Sequence, residues 1–240
     1  MKRLPTIWTD LLNLVYPPTC LLCHQPLTTH EQHLCLHCLS SLNRYREITE
    51  GKGTLQELFA GYPCIEEMDA YLRYEKDGKT QTLIHALKYY DNRELAYYLG
   101  QLFARNTKKF QDIDTIIPVP LHPKRLRERG YNQSEQIAKG FASVRQLPIY
   151  TNNLIKTQHT PSQTTKTVYE RQATLPELYR VIDPIPLKNK HILLIDDVAT
   201  SGNTLRQCIE ALQTIPGLRI SLAPLSVAGK GTETTIDLKI

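Results

Sequence analysis

No apolar run in this chain reaches the roughly 20 residues that a membrane-spanning helix needs. The basic start Met1-Lys2-Arg3 is not followed by the h-region of a signal peptide, because Asp10 and Asn13 interrupt the apolar residues. A cytoplasmic location without membrane insertion is therefore expected. Internal repeats and low-complexity tracts are also absent. Charge of one sign is only in modest excess: the formal net charge is +5 over 240 residues. That suits an anionic ligand and does not demand a nucleic-acid partner. A phosphate-binding Walker A loop is missing too. Gly78-Lys79-Thr80 comes nearest, but Arg73 occupies the place of the required first glycine. Its absence removes the ATPase reading of Ile195-Asp196-Asp197, which would otherwise pass for a Walker B strand.

Hydrophobic residues make up 41% and charged residues 22% of the sequence, ordinary values for a globular protein with a sizeable core. The most informative stretch runs from His191 to Leu205. An apolar strand ends in Asp196 and Asp197, a loop Val198-Ala199-Thr200-Ser201-Gly202-Asn203-Thr204 follows, and a helix pattern then begins. Carboxylates can accept hydrogen bonds from ribose hydroxyls. A glycine-containing loop at a helix start offers backbone N–H groups to a phosphate. The plainer alternative, a strand end followed by a capped helix, accounts for one acid and one cap but not for the whole ordered series.

Four of the six cysteines form two knuckles, Cys20-x-x-Cys23 and Cys35-x-x-Cys38. Two such knuckles can place four thiolates around Zn²⁺ in a closed, structural site. The alternative is two disulfides, which the absence of a secretion signal disfavours. His24, His30, His33 and His37 stand nearby as substitute ligands. Cys64 and Cys208 have no partner in sequence, and Cys208 reads as a packed apolar residue. Upstream, Ile7, Leu11, Leu14 and Val15 recur at helical spacing beside Trp8. A membrane-surface helix is one reading, docking onto the body of the protein the preferred one. Pro17-Pro18 ends that helix.

From Glu67 to Ser226 the pattern is α/β. Residues 68–74 read as one strand. Residues 79–104 read as one or two amphipathic helices burying Leu83, Ile84, Leu87, Leu95, Leu99 and Leu102. Lys88-Tyr89-Tyr90 reads as a solvated helix end. Asp114 to His122 is a short apolar strand punctuated by Pro118 and Pro120. It leads into a loop carrying Lys124, Arg125, Arg127 and Arg129, which by composition alone is a solvated basic loop. A helix over 134–144 and a short strand near Ile149 follow.

The Asp196–Thr204 stretch resembles the motif with which type I phosphoribosyltransferases bind 5-phosphoribosyl 1-pyrophosphate (PRPP), with Ser201 where threonine is more usual. Pro118-Val119-Pro120-Leu121-His122, then Arg127-x-Arg129-Gly130-Tyr131-Asn132-Gln133, resembles the signature of the ComF family, late-competence phosphoribosyltransferase-like proteins grouped with GntX. The double Cys-x-x-Cys, Thr160-Pro161-Ser162-Gln163-Thr164 and Glu170-Arg171 fit the same pattern, so the resemblance covers almost the full chain. It implies an α/β fold: a type I phosphoribosyltransferase-like parallel sheet flanked by helices, with an N-terminal zinc-knuckle segment. The implied division is residues 1–60 for the helix and zinc segment and 61–240 for the phosphoribosyltransferase-like domain.

The resemblance also implies roles. Asp196 and Asp197 would be the catalytic carboxylates at the ribose, and Val198, Ala199, Thr200, Ser201, Gly202, Asn203 and Thr204 would bind PRPP, with residues 199–204 holding the 5′-phosphate. Val119, Pro120 and Leu121, helped by Arg125, Arg127 or Arg129, would hold the pyrophosphate, with Mg²⁺ accompanying PRPP. Residues from about Lys156 to Thr174 would be a loop closing over the ligand, with His159 and Glu170 as possible contributors. Thr174 departs from the family pattern, which has Asn there. The chain does not begin with the cysteine nucleophile of a glutaminase, so an amidotransferase is not expected. Two functions follow from the resemblance and both stand at this point. One is phosphoribosyl transfer to an unidentified nitrogen acceptor. The other is a non-catalytic module binding PRPP or nucleotide and single-stranded DNA, working in competence-related DNA uptake with a helicase-like ATPase. In that second reading, the basic run and Tyr131 would meet DNA through phosphates and stacking.

Overall fold

The computed structural model describes residues 16–46, 55–89, 92–157 and 178–228. The proposed helix around Trp8, the Thr160–Thr164 motif, His159, and Glu170 to Thr174 lie outside the described residues. The chain runs through α1 (Leu36–Ser40), α2 (Leu55–Phe59), β1 (Ile65–Met68), β2 (Leu72–Tyr74), α3 (Lys79–Tyr89), α4 (Arg93–Asn106) and β3 (Thr115–Pro118). It continues through α5 (Pro123–Arg129), α6 (Gln133–Arg145), β4 (Leu154–Lys156), β5 (Tyr179–Val181), β6 (His191–Ala199), α7 (Asn203–Leu212) and β7 (Arg219–Ala228).

The main sheet is parallel, ordered β1-β7-β6-β3, with β2 also paired to β7. β6 and β7 sit in the middle. Their continuous runs Ile192–Ile195 and Ile220–Leu225 are buried on both faces, as parallel strands covered by helices require. One apolar cluster joins α3, α4 and α6 to the sheet through Leu87, Leu99, Phe103 and Phe141. A second, around Leu205, Ile209 and Leu212 of α7, fills the other face.

The expected strand over 68–74 is two strands. Asp69 interrupts it: its carboxylate accepts the Ala70 N–H and the Thr107 hydroxyl, turning the chain out of the ladder before Leu72 rejoins β7. The expected helix over 79–104 is α3 and α4, and Leu102 is only partly buried. The expected strand at Ile149 is a single parallel bridge to Ile116.

The cysteine segment is not a separate bead. Cys20, Leu34, Cys38 and Leu42 share the first cluster with Leu72, Leu83 and Leu87. Residues 43–45 extend along the outer edge of β2 through Tyr45 N–H to Tyr71 O and Arg73 N–H to Asn43 O. Leu55, Leu58 and Phe59 belong to the second cluster.

Candidate ligand cleft and metal centre

β3 and β6 run side by side, with Pro118 in register with Ile195. Val119 N–H donates to Ile195 O at 2.8 Å, extending the pairing one step beyond β3. The loops that leave these two strands are therefore neighbours at the carboxyl edge of the sheet, where open α/β proteins place ligands. Val119, Pro120 and Leu121 from the loop after β3 face Asp196, Asp197 and Val198 at the end of β6 across a single cleft. A small adjoining cavity is lined by residues 198–205 and shares Asp196, Val198 and Thr204 with the cleft.

Each side chain is placed by a local device. Gly202 adopts φ +75° as the N-cap of α7, and the Phe59 ring lies 3.2 Å from where a Cβ would be. Arg206 fixes that contact by donating twice to Leu58 O. The α7 N-terminus, whose first N–H groups have no partner within the helix, thus opens onto the small cavity. His122 caps α5 by accepting the Lys124 N–H on Nδ1, and Pro123 starts the helix. Asn132 caps α6 by accepting the Ser134 N–H, while its own amide donates to Val119 O.

The two carboxylates differ. Asp196 is buried, accepting the Ser134 hydroxyl at 3.0 Å and the Asp197 N–H at 2.9 Å. Burial and the neighbouring Asp197 charge push its pKa up to about 7, against the opposing pull of those hydrogen bonds and Lys88. Asp197 is more open and lies 3.8 Å from Lys88 Nζ. Beneath them Cys208 is fully buried, and its thiol is held well above the usual range by desolvation. It is the packed residue expected from the sequence.

Cations complete the cleft. Arg125 and Arg129 line it together with Lys88 and Lys156, whereas Arg127 is exposed and does not line it. Lys88 corrects the sequence reading of a solvated helix end. Its side chain is only 12% exposed and reaches Asp197. The signal was present, since Lys88 stands four residues after buried Ile84, on the inward face of α3. Lys156 ends β4, opposite Tyr179 of β5, and its amine sits 5.0 Å over the Tyr179 ring. Burial and the nearby Arg125 lower its pKa. Sequence reasoning also assigned no role to Gln133, Ser134 or Tyr179, all of which line the cleft.

Tyr131 is a second correction. It is buried, its hydroxyl donates to Leu87 O, and Arg93 covers its ring. It cannot stack on a base. It instead ties the loop before α6 to the end of α3, which sets Lys88 in the cleft.

At the other end of the molecule the Sγ atoms of Cys20, Cys23, Cys35 and Cys38 all lie within 4.8 Å of one another, and no disulfide forms among them. The Cys23–Cys35 sulfur separation is 3.6 Å. A tetrahedron with Zn–S bonds of ~2.3 Å needs sulfurs about 3.8 Å apart. Desolvation opposes ionisation of Cys20, but N–H groups of Cys35, Cys23 and Leu22 outweigh it and bring the thiol down to about 6. Burial and the neighbouring thiols raise Cys38 to about 12. Four sulfurs so close and free of disulfides fit Zn²⁺ in number, element and spacing.

Residues 11–49 match the double zinc ribbon domain. Over 212 residues the chain is 26% identical to the DNA utilization protein YhgH of Escherichia coli (strain K12), covering 83% of this chain and 92% of that protein. It is 27% identical to Competence protein F of Haemophilus influenzae over 119 residues, 49% of this chain and 52% of that protein. Among solved structures it overlaps the glutamine PRPP amidotransferase of Bacillus subtilis complexed with ADP and GMP at a TM-score of 0.42 and 15% identity. That overlap covers 58% of this chain and 30% of the solved chain, so the present protein spans less than a third of the amidotransferase. Among the described residues no helix is long and apolar enough to cross a membrane.

Proposed function

We propose that this protein binds PRPP together with Mg²⁺ in the cleft between the β3 and β6 loops and transfers the phosphoribosyl group to a nitrogen acceptor. The observation that carries the reading is the meeting, at adjacent strand ends, of two carboxylates, a small cavity at a helix N-terminus, and four cations. In this reading residues 199–204 hold the 5′-phosphate through backbone N–H groups and the α7 dipole. Asp196 and Asp197 accept hydrogen bonds from the ribose hydroxyls. Val119–Leu121 with Arg125 and Arg129 hold the diphosphate. The nitrogen attacks C1, the C1–N bond forms as the C1–O bond breaks, and pyrophosphate leaves with the bonding pair. Positive charge develops on the sugar meanwhile, and Asp197 stands ready to stabilise it. Mg²⁺ bound with the ligand would neutralise diphosphate charge, and the carboxylates are the hard oxygen groups suited to its water shell. Zn²⁺ at the four cysteines has no open position and serves structure alone.

A second reading, binding of single-stranded DNA in competence-related uptake alongside a helicase-like ATPase, is favoured by the names of the relatives. Its residues would be the basic side chains of α5. Arg127 separates the readings, because it is exposed and does not line the cleft, so a role for it would point to DNA phosphates. PRPP with Mg²⁺ should raise the Tm of wild type and of Arg127→Ala equally and leave Asp197→Asn unmoved. Equal shifts in wild type and Asp197→Asn would remove the site from Asp197. Salt-sensitive DNA binding lost in Arg127→Ala would favour the second reading instead.

A further inference from the structure

Gln133 is the first residue of α6 and is buried to 1% exposure, yet it lines the cleft beside Ser134 and Asp196. Its two amide atoms are not equivalent. Oε1 accepts from Arg129 Nη1 at 3.1 Å, and because a guanidinium can only donate, the atom facing it must be the carbonyl oxygen. The other atom, Nε2, is then a donor, and it has no partner among the described residues. Leaving such a donor buried and unpaired costs free energy comparable to a lost hydrogen bond, so the ligand-free site is poised for an acceptor. The surroundings say which kind. Gln133 sits at the N-terminal end of a 13-residue helix, behind its Asn132 cap, and it is held by Arg129. A helix N-terminus, a guanidinium and an amide donor at one cleft favour an anionic oxygen over a neutral hydroxyl.

We infer that the Gln133 carboxamide, oriented by Arg129, donates Nε2–H to an oxygen of the ligand's diphosphate group and is a specificity residue for diphosphate over monophosphate. This rests on the PRPP reading above. Arg129 acts in two ways: it supplies charge, and it locks the amide so that a donor, never an acceptor, meets the ligand. A monophosphate seated at residues 199–204 makes no use of Gln133.

The test uses calorimetric titration of the full-length protein with inorganic pyrophosphate, PRPP and ribose 5-phosphate, each with Mg²⁺. Gln133→Leu removes the donor at similar volume. Gln133→Glu keeps the acceptor for Arg129 but turns an acceptor toward the ligand, so it guards against a fold defect in the first variant. Both should weaken pyrophosphate and PRPP by roughly tenfold or more, the scale of a hydrogen bond to a charged group, and Glu more than Leu. Ribose 5-phosphate affinity should stay within about twofold. Undiminished pyrophosphate binding in Gln133→Glu overturns the inference, as does an equal loss for all three ligands. If wild type binds PRPP and the variants bind it equally, only the role of Gln133 falls. If wild type binds none of the three, the PRPP reading itself falls and takes this inference with it.

Discussion

Asp196 is the most deeply buried carboxyl of the cleft, and its environment makes a prediction of defined sign. The carboxyl is buried beside a second carboxylate, so the folded protein binds its proton more tightly than the unfolded chain does. A carboxyl whose pKa is raised on folding contributes stability that is fully present below the ordinary carboxylate range. That stability is lost as pH rises through the folded value of about 7. Asparagine at this position mimics the protonated form at every pH. The Tm of ligand-free wild type should therefore fall relative to Asp196→Asn between about pH 4 and pH 7, then run parallel above that window. Melting curves of the two proteins across this range measure it, and a constant offset throughout would show that Asp196 ionises as freely in the fold as outside it. The same burial means that ionised Asp196 is best tolerated when a cation or ribose hydroxyl meets it, so ligand binding and deprotonation should favour each other.

At the scale of elements, the cleft depends on how closely α4 and α6 cross. A Cβ on Gly140 would lie 1.9 Å from Tyr97 O, and one on Gly100 would lie 2.1 Å from Ile137 O. The two glycines let the backbones of the helices touch. Gly140→Ala must force the helices apart and should destabilise the protein by about 1–3 kcal/mol or more. In urea unfolding this appears as a lower midpoint at an unchanged slope, and a midpoint equal to that of wild type would deny the close crossing. Because α6 carries Gln133 and Ser134 at its N-terminus, PRPP binding should weaken in the same variant. Nothing in one sequence announces such a pair, since glycine inside a helix looks only like a local penalty. The elements themselves were more legible. The apolar runs of β3 and β6, the stripe through Leu83, Leu87, Leu95 and Leu99, and the loop after Asp197 carry period and punctuation that belong to local physics. The places of Lys88, Gln133 and Tyr179 in the cleft were not legible, because they depend on which elements meet at the sheet edge. Asp69, which splits one expected strand into two, acts through a hydroxyl 38 residues away.

For the whole molecule, the metal segment and the ligand cleft belong to one cooperative structure. Cys20 and Cys38 are buried in the same apolar cluster as Leu83 and Leu87 of α3. Leu87 O accepts the Tyr131 hydroxyl, and the next residue, Lys88, holds Asp197. A path of packed and bonded groups thus runs from the four sulfurs to the carboxylates. Structural zinc in isolated finger peptides is worth ~10–16 kcal/mol of apparent binding free energy, as large as the net stability of many domains. Removing it should leave four crowded thiols, two of them buried, with no cation to hold them together. Stripping the metal with a strong chelator, or replacing Cys38 with serine, should lower the Tm by more than about 5 °C. For a chain of this size that corresponds to roughly 2 kcal/mol, the least expected once the knuckles stop covering α3 and α4. The PRPP-induced rise in Tm should shrink in the same samples, because a loosened α3 no longer presents Lys88 to Asp197. A protein that loses its zinc stoichiometrically yet keeps both its Tm and its full ligand response would show that the knuckles and the cleft fold independently, and the shared core would then carry no functional coupling.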